Sequence, residues 1–209
     1  NGHDTPEEIE AWLAWSRPLQ QALRAAGVRL SLNPWHSLLH VDRGRALKPS
    51  QPWQTMQDPH GRAARAVVCP LDPGWRAYYR ETLDRYARED FAVIWIDDDI
   101  RYHNHGDLAW GGCFCPLHLA AFAARVGRTV TREELVRACT APGAPHPWRG
   151  LWLDLWEEQH LDLIRSWRDT VEAHVARGGN AAFFSGNTSL WQVRLEDPTP
   201  EGPAATMVG

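Results

Sequence analysis

Three side chains that commonly bind metal ions lie within six residues of one another: Cys113, Cys115 and His118. A fourth soft ligand would complete a closed tetrahedral zinc site of the structural kind. Cys69 is the natural candidate because it ends a predicted strand, and neighbouring parallel strands finish side by side. Cys139 lies beyond a predicted helix and suits the site less well. An open three-ligand site with a catalytic water, or plain packing of the side chains, remains an alternative.

Three consecutive carboxylates, Asp97, Asp98 and Asp99, follow the apolar run 91–96. Alternation along a strand points neighbouring side chains to opposite faces, so at most two of the three share a direction. Three like charges in a row need a cation, an arginine or protonation to relieve them, and Arg101 is close enough to serve. The sequence predicts a catalytic or sugar-binding carboxylate here; the alternative is a helix cap or an ion pair holding the following loop.

The composition is that of a folded domain with no obvious polyanionic partner. The chain has 209 residues, 44% of them hydrophobic, and a formal net charge of −4. It therefore has no basic field that would concentrate nucleic acid or an anionic membrane. Its longest apolar run, residues 91–96, is far shorter than the roughly 20 residues of a membrane-spanning helix. We expect a soluble protein without nucleic-acid or membrane partners, and the clustered cysteines favour a reduced, cytoplasmic setting.

Helical and strand patterns alternate along the chain, which favours an α/β fold with a parallel sheet. Helices are predicted at 6–26, 73–89, 116–126 and 151–176, with a short one that starts at the Thr131 capping box. Strands are predicted at 28–32, 66–69, 91–96 and 181–185, with a loop at 37–64. Polar residues follow each strand, as at the mouth of a (β/α)₈ TIM barrel. Four strands make about half of such a barrel, roughly strands 2 to 5. We therefore expect a single partial barrel domain, a piece of a longer chain, with a poorly structured tail at 191–209.

Three segments together resemble the family 42 glycoside hydrolases, which are β-galactosidases with a (β/α)₈ barrel. They are the run from Cys69 to Pro73 followed by Arg76 and Tyr79, the triple aspartate, and the run Cys-Phe-Cys-Pro-Leu-His that ends at His118. The similarity covers about residues 28–190 and depends on the order and spacing of these segments. It implies a glycosidase that hydrolyses β-galactoside-like O-glycosidic bonds, with a structural zinc ion.

The resemblance also assigns roles to particular positions. Cys69, Cys113 and Cys115 match zinc ligands of the family, and His118 stands where the family has its last cysteine. Asp99 falls on the general acid/base glutamate, and aspartate is shorter by one methylene, roughly 1.5 Å of reach.

The remaining site assignments also follow from the resemblance. Asp98 falls on an asparagine that binds the sugar 2-hydroxyl and is the second candidate for the general acid. The nucleophile of a retaining enzyme is expected beyond the end of this chain. The full-length protein is expected to bind a carbohydrate substrate and to be able to form a homo-oligomer. The predicted substrate-binding residues share positions just after strands or beside the acidic run: Asp97, Arg101, Trp35, His36, Asn187 and Trp191.

Two other functions fit the same residues. One is a carbohydrate-binding barrel that has lost catalysis, in which the aspartates only hydrogen-bond to sugar hydroxyls. The other is a metal-dependent hydrolase or isomerase on a TIM barrel, with the aspartates and His103 or His105 as ligands of a catalytic ion.

Overall fold

The structure is a computed structural model that describes residues 2–34, 37–39, 41–96, 100, 108–109, 112–183, 194–196 and 206–208. For residues 180–183, 194–196 and 206–208 only the backbone is described. Within these ranges, most of the regular secondary structure is helical.

Six helices lie in the described ranges, and most begin where the sequence carries a cap. They are α1 (Pro6–Ala25), α2 (Pro73–Ala87), α3 (Pro116–Val126), α4 (Arg132–Thr140), α5 (Pro147–Arg165) and α6 (Arg168–Ala176). Thr5 and Glu8 form the capping box of α1, and Asp72 and Thr131 cap α2 and α4. These side chains accept hydrogen bonds from backbone N–H groups that have no partner inside the helix.

The predicted single helix 151–176 is wrong, because α5 and α6 are separate helices. The chain breaks at Ser166 and Trp167, where the Ser166 hydroxyl donates to the Leu163 carbonyl at 2.6 Å. The indole of Trp167 is completely buried and packs against Tyr79 of α2. The break lets α6 pack against α2 and against residues 180–183, the strand that follows α6 in the chain.

The six short strands pair two by two. They are β1 (Thr55–Gln57), β2 (Ala63–Val68), β3 (Val93–Ile96), β4 (Asn180–Phe183), β5 (Arg194–Glu196) and β6 (Thr206–Val208). β3 and β4 are parallel, whereas β1 pairs antiparallel with β2 and β5 pairs antiparallel with β6. The predicted strand 28–32 contributes one parallel bridge, from Leu32 to Ile94 of β3.

The predicted (β/α)₈ barrel is wrong. In a barrel, the strand ending at Cys69 would have to join the parallel sheet between residues 28–32 and β3. Instead β2 forms a hairpin with β1, in the segment predicted to be a loop, while β3 has Leu32 on one side and β4 on the other. Among the described residues no sheet has more than two strands. The parallel part of the fold is a narrow ribbon covered by helices, and it does not curve into a closed sheet.

The core consists of three clusters of buried side chains. The largest joins β2 to Trp75 and Tyr79 of α2 and to Trp167. A second packs Leu13 of α1 against the end of α2 and against β3. The third lies between α3, α4 and α5 around Trp152. Three of the four cysteines lie in the largest cluster or at its edge, so the metal-ligand residues are part of the core.

Among the helices within the described ranges, none has the length and apolar character needed to cross a membrane.

Candidate metal centre

Cys69, Cys113, Cys115 and His118 meet at one buried point. Their ligand atoms all lie within 4.8 Å of one another, and each residue has 0% of its surface exposed. The Cys69 sulfur is 3.2 Å from Nδ1 of His118 and 3.5 Å from the Cys115 sulfur, and the Cys115 sulfur is 3.6 Å from the same Nδ1. The group is close enough to hold a single metal ion, and three sulfurs with one imidazole nitrogen are compatible with zinc.

Cys69 reaches this point because it follows β2 directly. Its backbone N–H donates to the Gln54 carbonyl at 2.8 Å, which extends the β1–β2 hairpin by one more pairing. The N–H of Leu71 lies 3.4 Å from the Cys69 sulfur and donates to it. A backbone donor to a ligand sulfur orients the ligand and stabilises negative charge on it.

The other three ligands come from the start of α3 and the loop before it. The Phe114 N–H donates to the Gln57 carbonyl at 2.7 Å, so this loop runs along the end of β1. Cys115 is the N-cap of α3, Pro116 takes the first helical position, and His118 lies in the first turn. The four residues that the sequence suggested as metal ligands therefore do lie together, but the reason for including Cys69 was wrong. The hairpin brings Cys69 to the loop, whereas the prediction relied on neighbouring parallel strands.

Gly112, next to Cys113, has a backbone conformation that favours glycine. Its φ is +92°, and a Cβ built on it would lie 1.9 Å from Cζ2 of Trp156 on α5. Left-handed φ values disfavour residues with a side chain. The indole of Trp156 on α5 therefore lies directly against the backbone next to Cys113.

The three thiols differ in their tendency to ionise. Burial raises the pKa of Cys69 and of Cys113 well above the usual range. Hydrogen bonding with Cys113 and Cys69 lowers the pKa of Cys115, and His118 lowers it further. These shifts favour negative charge on Cys115 over the other two sulfurs, and a metal ion that binds all three must displace the protons that the sulfurs hold.

Cys139, the weaker candidate, is not part of this group. It lies half-buried on α4 and packs against the cluster around Trp152. All four cysteines are free thiols. A disulfide has its two sulfurs about 2.05 Å apart, whereas the sulfurs of Cys69 and Cys115 are 3.5 Å apart.

The predicted catalytic and substrate-binding residues lie outside the described part of the chain. These are Asp97, Asp98, Asp99, Arg101, Trp35, His36, Asn187 and Trp191, together with the alternative ligands His103 and His105. Their assignment stays a prediction. In sequence, residues 97–111 join the end of β3 to the loop that carries Cys113.

The sequence analysis missed Asp58, a fully buried carboxylate that organises the turn between β1 and β2. It accepts hydrogen bonds from the backbone N–H groups of His60, Arg62 and Ala109 and from Nε of Arg62. Burial by itself raises the pKa of Asp58, but these hydrogen bonds outweigh it and lower the pKa overall. The run Asp-Pro-His-Gly at 58–61 is a typical turn sequence and could have indicated this role.

One family model matches the chain, over residues 165–209, and it describes the C-terminal region of proteins like the N,N-dimethylformamidase beta subunit. The match covers about a fifth of the chain, from the end of α5 onward. No curated protein and no solved structure matches.

This match overturns both the resemblance to the family 42 glycoside hydrolases and the predicted glycosidase function, since the matched family is named for an amidase. It indicates a hydrolase, of a class other than glycosidases.

Proposed function

We propose that Cys69, Cys113, Cys115 and His118 bind one zinc ion with a structural role, and that the zinc-bound chain belongs to an enzyme that hydrolyses amide bonds. The observation that carries the first part is the convergence of four buried ligand atoms within 4.8 Å. The second part is supported by the family match at 165–209.

The distances between ligand atoms support zinc. A tetrahedral zinc ion with Zn–S bonds of about 2.3 Å and a Zn–N bond of about 2.0 Å holds two sulfurs about 3.8 Å apart, and a sulfur and a nitrogen about 3.6 Å apart. The corresponding distances here are 3.5 Å between Cys115 and Cys69, and 3.2 and 3.6 Å from the two sulfurs to His118. Small movements of the side chains are enough to complete a tetrahedron.

The ligand number and burial support a structural role. Catalytic zinc keeps one position open for water or substrate, whereas four protein ligands close the coordination shell. The four ligands are inaccessible to solvent. The ion would join the β1–β2 hairpin to α3, and so fix the loop at which the segment 97–111 ends. A structural ion here would stabilise the loop that follows the predicted acidic residues in the sequence.

Metal analysis of matched cysteine variants tests the zinc site. We expect about one zinc ion per chain in the parent protein and in Cys139→Ser, and loss of zinc in Cys69→Ser. Cobalt substitution should give the absorption of tetrahedral cobalt with thiolate ligands in the first two proteins only. Equal metal content in Cys69→Ser and Cys139→Ser would rule out the site.

A second variant tests the zinc site even if Cys69→Ser does not fold. His118→Cys replaces one zinc ligand by another, so it should retain the zinc ion, and the cobalt form should show stronger sulfur-to-metal charge transfer. A His118→Cys protein whose cobalt spectrum equals that of the parent would show that His118 is not a ligand.

The amidase activity has its own test, with N,N-dimethylformamide as the probe. Water would add to the formyl carbon and the C–N bond would break, giving formate and dimethylamine. Asp98 and Asp99 are the candidates for the carboxylate that accepts the proton of water. In the full-length protein, Asp99→Asn or Asp98→Asn should then reduce amine release on the order of 100-fold or more. Absence of amine release above the blank from the zinc-loaded protein would refute the activity and leave the zinc site unaffected.

A further inference from the structure

A second polar site lies where three helices end, and it shares no residue with the metal centre. A cavity of about 320 Å³ opens there, and four arginines line it: Arg24, Arg29, Arg88 and Arg177. α1 ends at Ala25, α2 at Ala87 and α6 at Ala176, so the four side chains come from the last turn of a helix or from the residues that follow one. Basic residues at helix carboxyl ends are favoured by the helix dipole, which gives a structural reason for some of this charge.

The acidic residues of the cavity do not neutralise all four arginines. Glu89 accepts hydrogen bonds from Nε and Nη2 of Arg17, which lies outside the cavity lining, with a shortest distance of 2.7 Å. Asp90 pairs with Arg24 and has Arg29 at 3.8 Å. Both carboxylates are therefore already engaged by guanidinium groups.

Within the described part of the chain, two guanidinium groups at the cavity have no carboxylate partner. Arg88 makes no ion pair with any residue in the described ranges, and its side chain is exposed. Arg177 donates from Nη2 to the Ala87 carbonyl at 2.5 Å, which is a neutral acceptor. The positive charge that remains is what an anionic ligand would recognise.

His174 adds a buried polar atom that lacks a partner. The residue lines the cavity and is only 4% exposed. Its Nδ1 lies 3.4 Å from the Ala87 carbonyl, while Nε2 has no hydrogen-bond partner among the residues described. A Cβ at Gly179 would lie 2.2 Å from Nε2, so glycine is needed for the ring to keep this position. A buried ring nitrogen without a partner is uncommon and destabilising, and it marks a polar group that a ligand can satisfy.

We propose that this cavity binds the phosphate group of a small anionic ligand. Guanidinium groups bind phosphate oxygens in pairs of parallel hydrogen bonds, and two of them match the double negative charge of a phosphate monoester. Nε2 of His174 can hydrogen-bond to a phosphate oxygen, or accept from a phosphate O–H where the bound ion carries one. The volume is at the small end of ligand-binding pockets, as expected for a phosphate with a short organic group.

Titration of inorganic phosphate into the zinc-loaded full chain, in a chloride buffer and followed by calorimetry, tests the site. We expect saturable binding at one site, weakened about tenfold or more in Arg88→Gln and in Arg177→Gln, because each loses charge-assisted hydrogen bonds. Arg80→Gln is the matched control, since Arg80 is also exposed on α2 but does not line the cavity. Its affinity for phosphate should equal that of the parent chain.

Two results would overturn the proposal. One is the absence of phosphate binding at concentrations up to about 10 mM. The other is the same phosphate affinity in Arg88→Gln, Arg177→Gln and Arg80→Gln. Near-UV circular dichroism of each variant shows that it is folded. Arg88 is exposed and has no ion pair with a described residue, so its replacement leaves the packing intact.

Discussion

Replacing Gly112 by alanine tests whether the loop that carries Cys113 depends on contact with α5. The new methyl group would start 1.9 Å from Cζ2 of Trp156, whereas non-bonded carbon atoms pack about 3.5 to 4.0 Å apart. The indole or the loop must therefore move by roughly 1.5 Å or more. Because Cys113 is the next residue, a movement of the loop also displaces a metal ligand.

Two contributions give the magnitude for Gly112→Ala. A residue with a side chain at a left-handed φ costs about 1–2 kcal/mol, and the φ of Gly112 is +92°. Overpacking against a buried group costs about 1–3 kcal/mol more. The free energy of unfolding should therefore fall by about 2–5 kcal/mol, and for a chain of this size the Tm by roughly 4–20 °C.

Thermal unfolding of the zinc-loaded protein and zinc competition with a chromophoric chelator are the assays. Gly150→Ala is the matched control, because a Cβ at Gly150 of α5 meets no atom within 4 Å and Gly150 does not have a left-handed φ. Alanine in a helix is favoured over glycine by up to about 1 kcal/mol, so the control should be as stable as the parent or more so. If Gly112→Ala is as stable as Gly150→Ala and binds zinc equally well, the reasoning from φ and the Trp156 contact is refuted.

Two further predictions concern pH. Burial raises the pKa of Cys69 and Cys113 while hydrogen bonds lower that of Cys115, so zinc should release about two protons and its log affinity should rise by about two per pH unit between about pH 7 and 8. Competition titrations measure this slope, and a value near zero or three would contradict the assignment of protons. Asp58→Asn should lower the free energy of unfolding by about 1–3 kcal/mol at neutral pH, because hydrogen bonds to a buried carboxylate are lost. Since the pKa of Asp58 is lowered in the folded state, this stabilisation is present above about pH 4 and lost as pH falls through the folded pKa, so a difference in urea unfolding that stays constant on acidification would refute it.

Local sequence signals predicted the starts of three helices and grouped three of the candidate metal ligands. Thr5, Asp72 and Thr131 mark the starts of α1, α2 and α4 because caps act within one turn of chain. The spacing from Cys113 to His118 places two sulfurs and an imidazole at the start of α3. These features depend on residues only a few positions apart, so the sequence alone specifies them.

The resemblance to the family 42 glycoside hydrolases and the predicted barrel were wrong for a different reason. The apolar character of β2 predicted a strand, but an apolar run does not specify its partner, and β2 pairs with β1 in a hairpin. The sequence pattern also does not indicate the break at Ser166 and Trp167, because the break depends on burial of the Trp167 indole against α2. A shared order of short motifs does not specify strand pairing, and here the pairing contradicts the barrel.

By itself the sequence determined which residues of this protein could bind a metal ion and where most helices begin, since these depend on residue chemistry and short-range hydrogen bonds. Only the tertiary structure decided how Cys69 reaches Cys115, why residue 112 is glycine, and that four arginines gather at three helix ends. Each of these joins segments far apart in the chain. Their proximity is set by strand pairing and packing of the core, which no local pattern encodes.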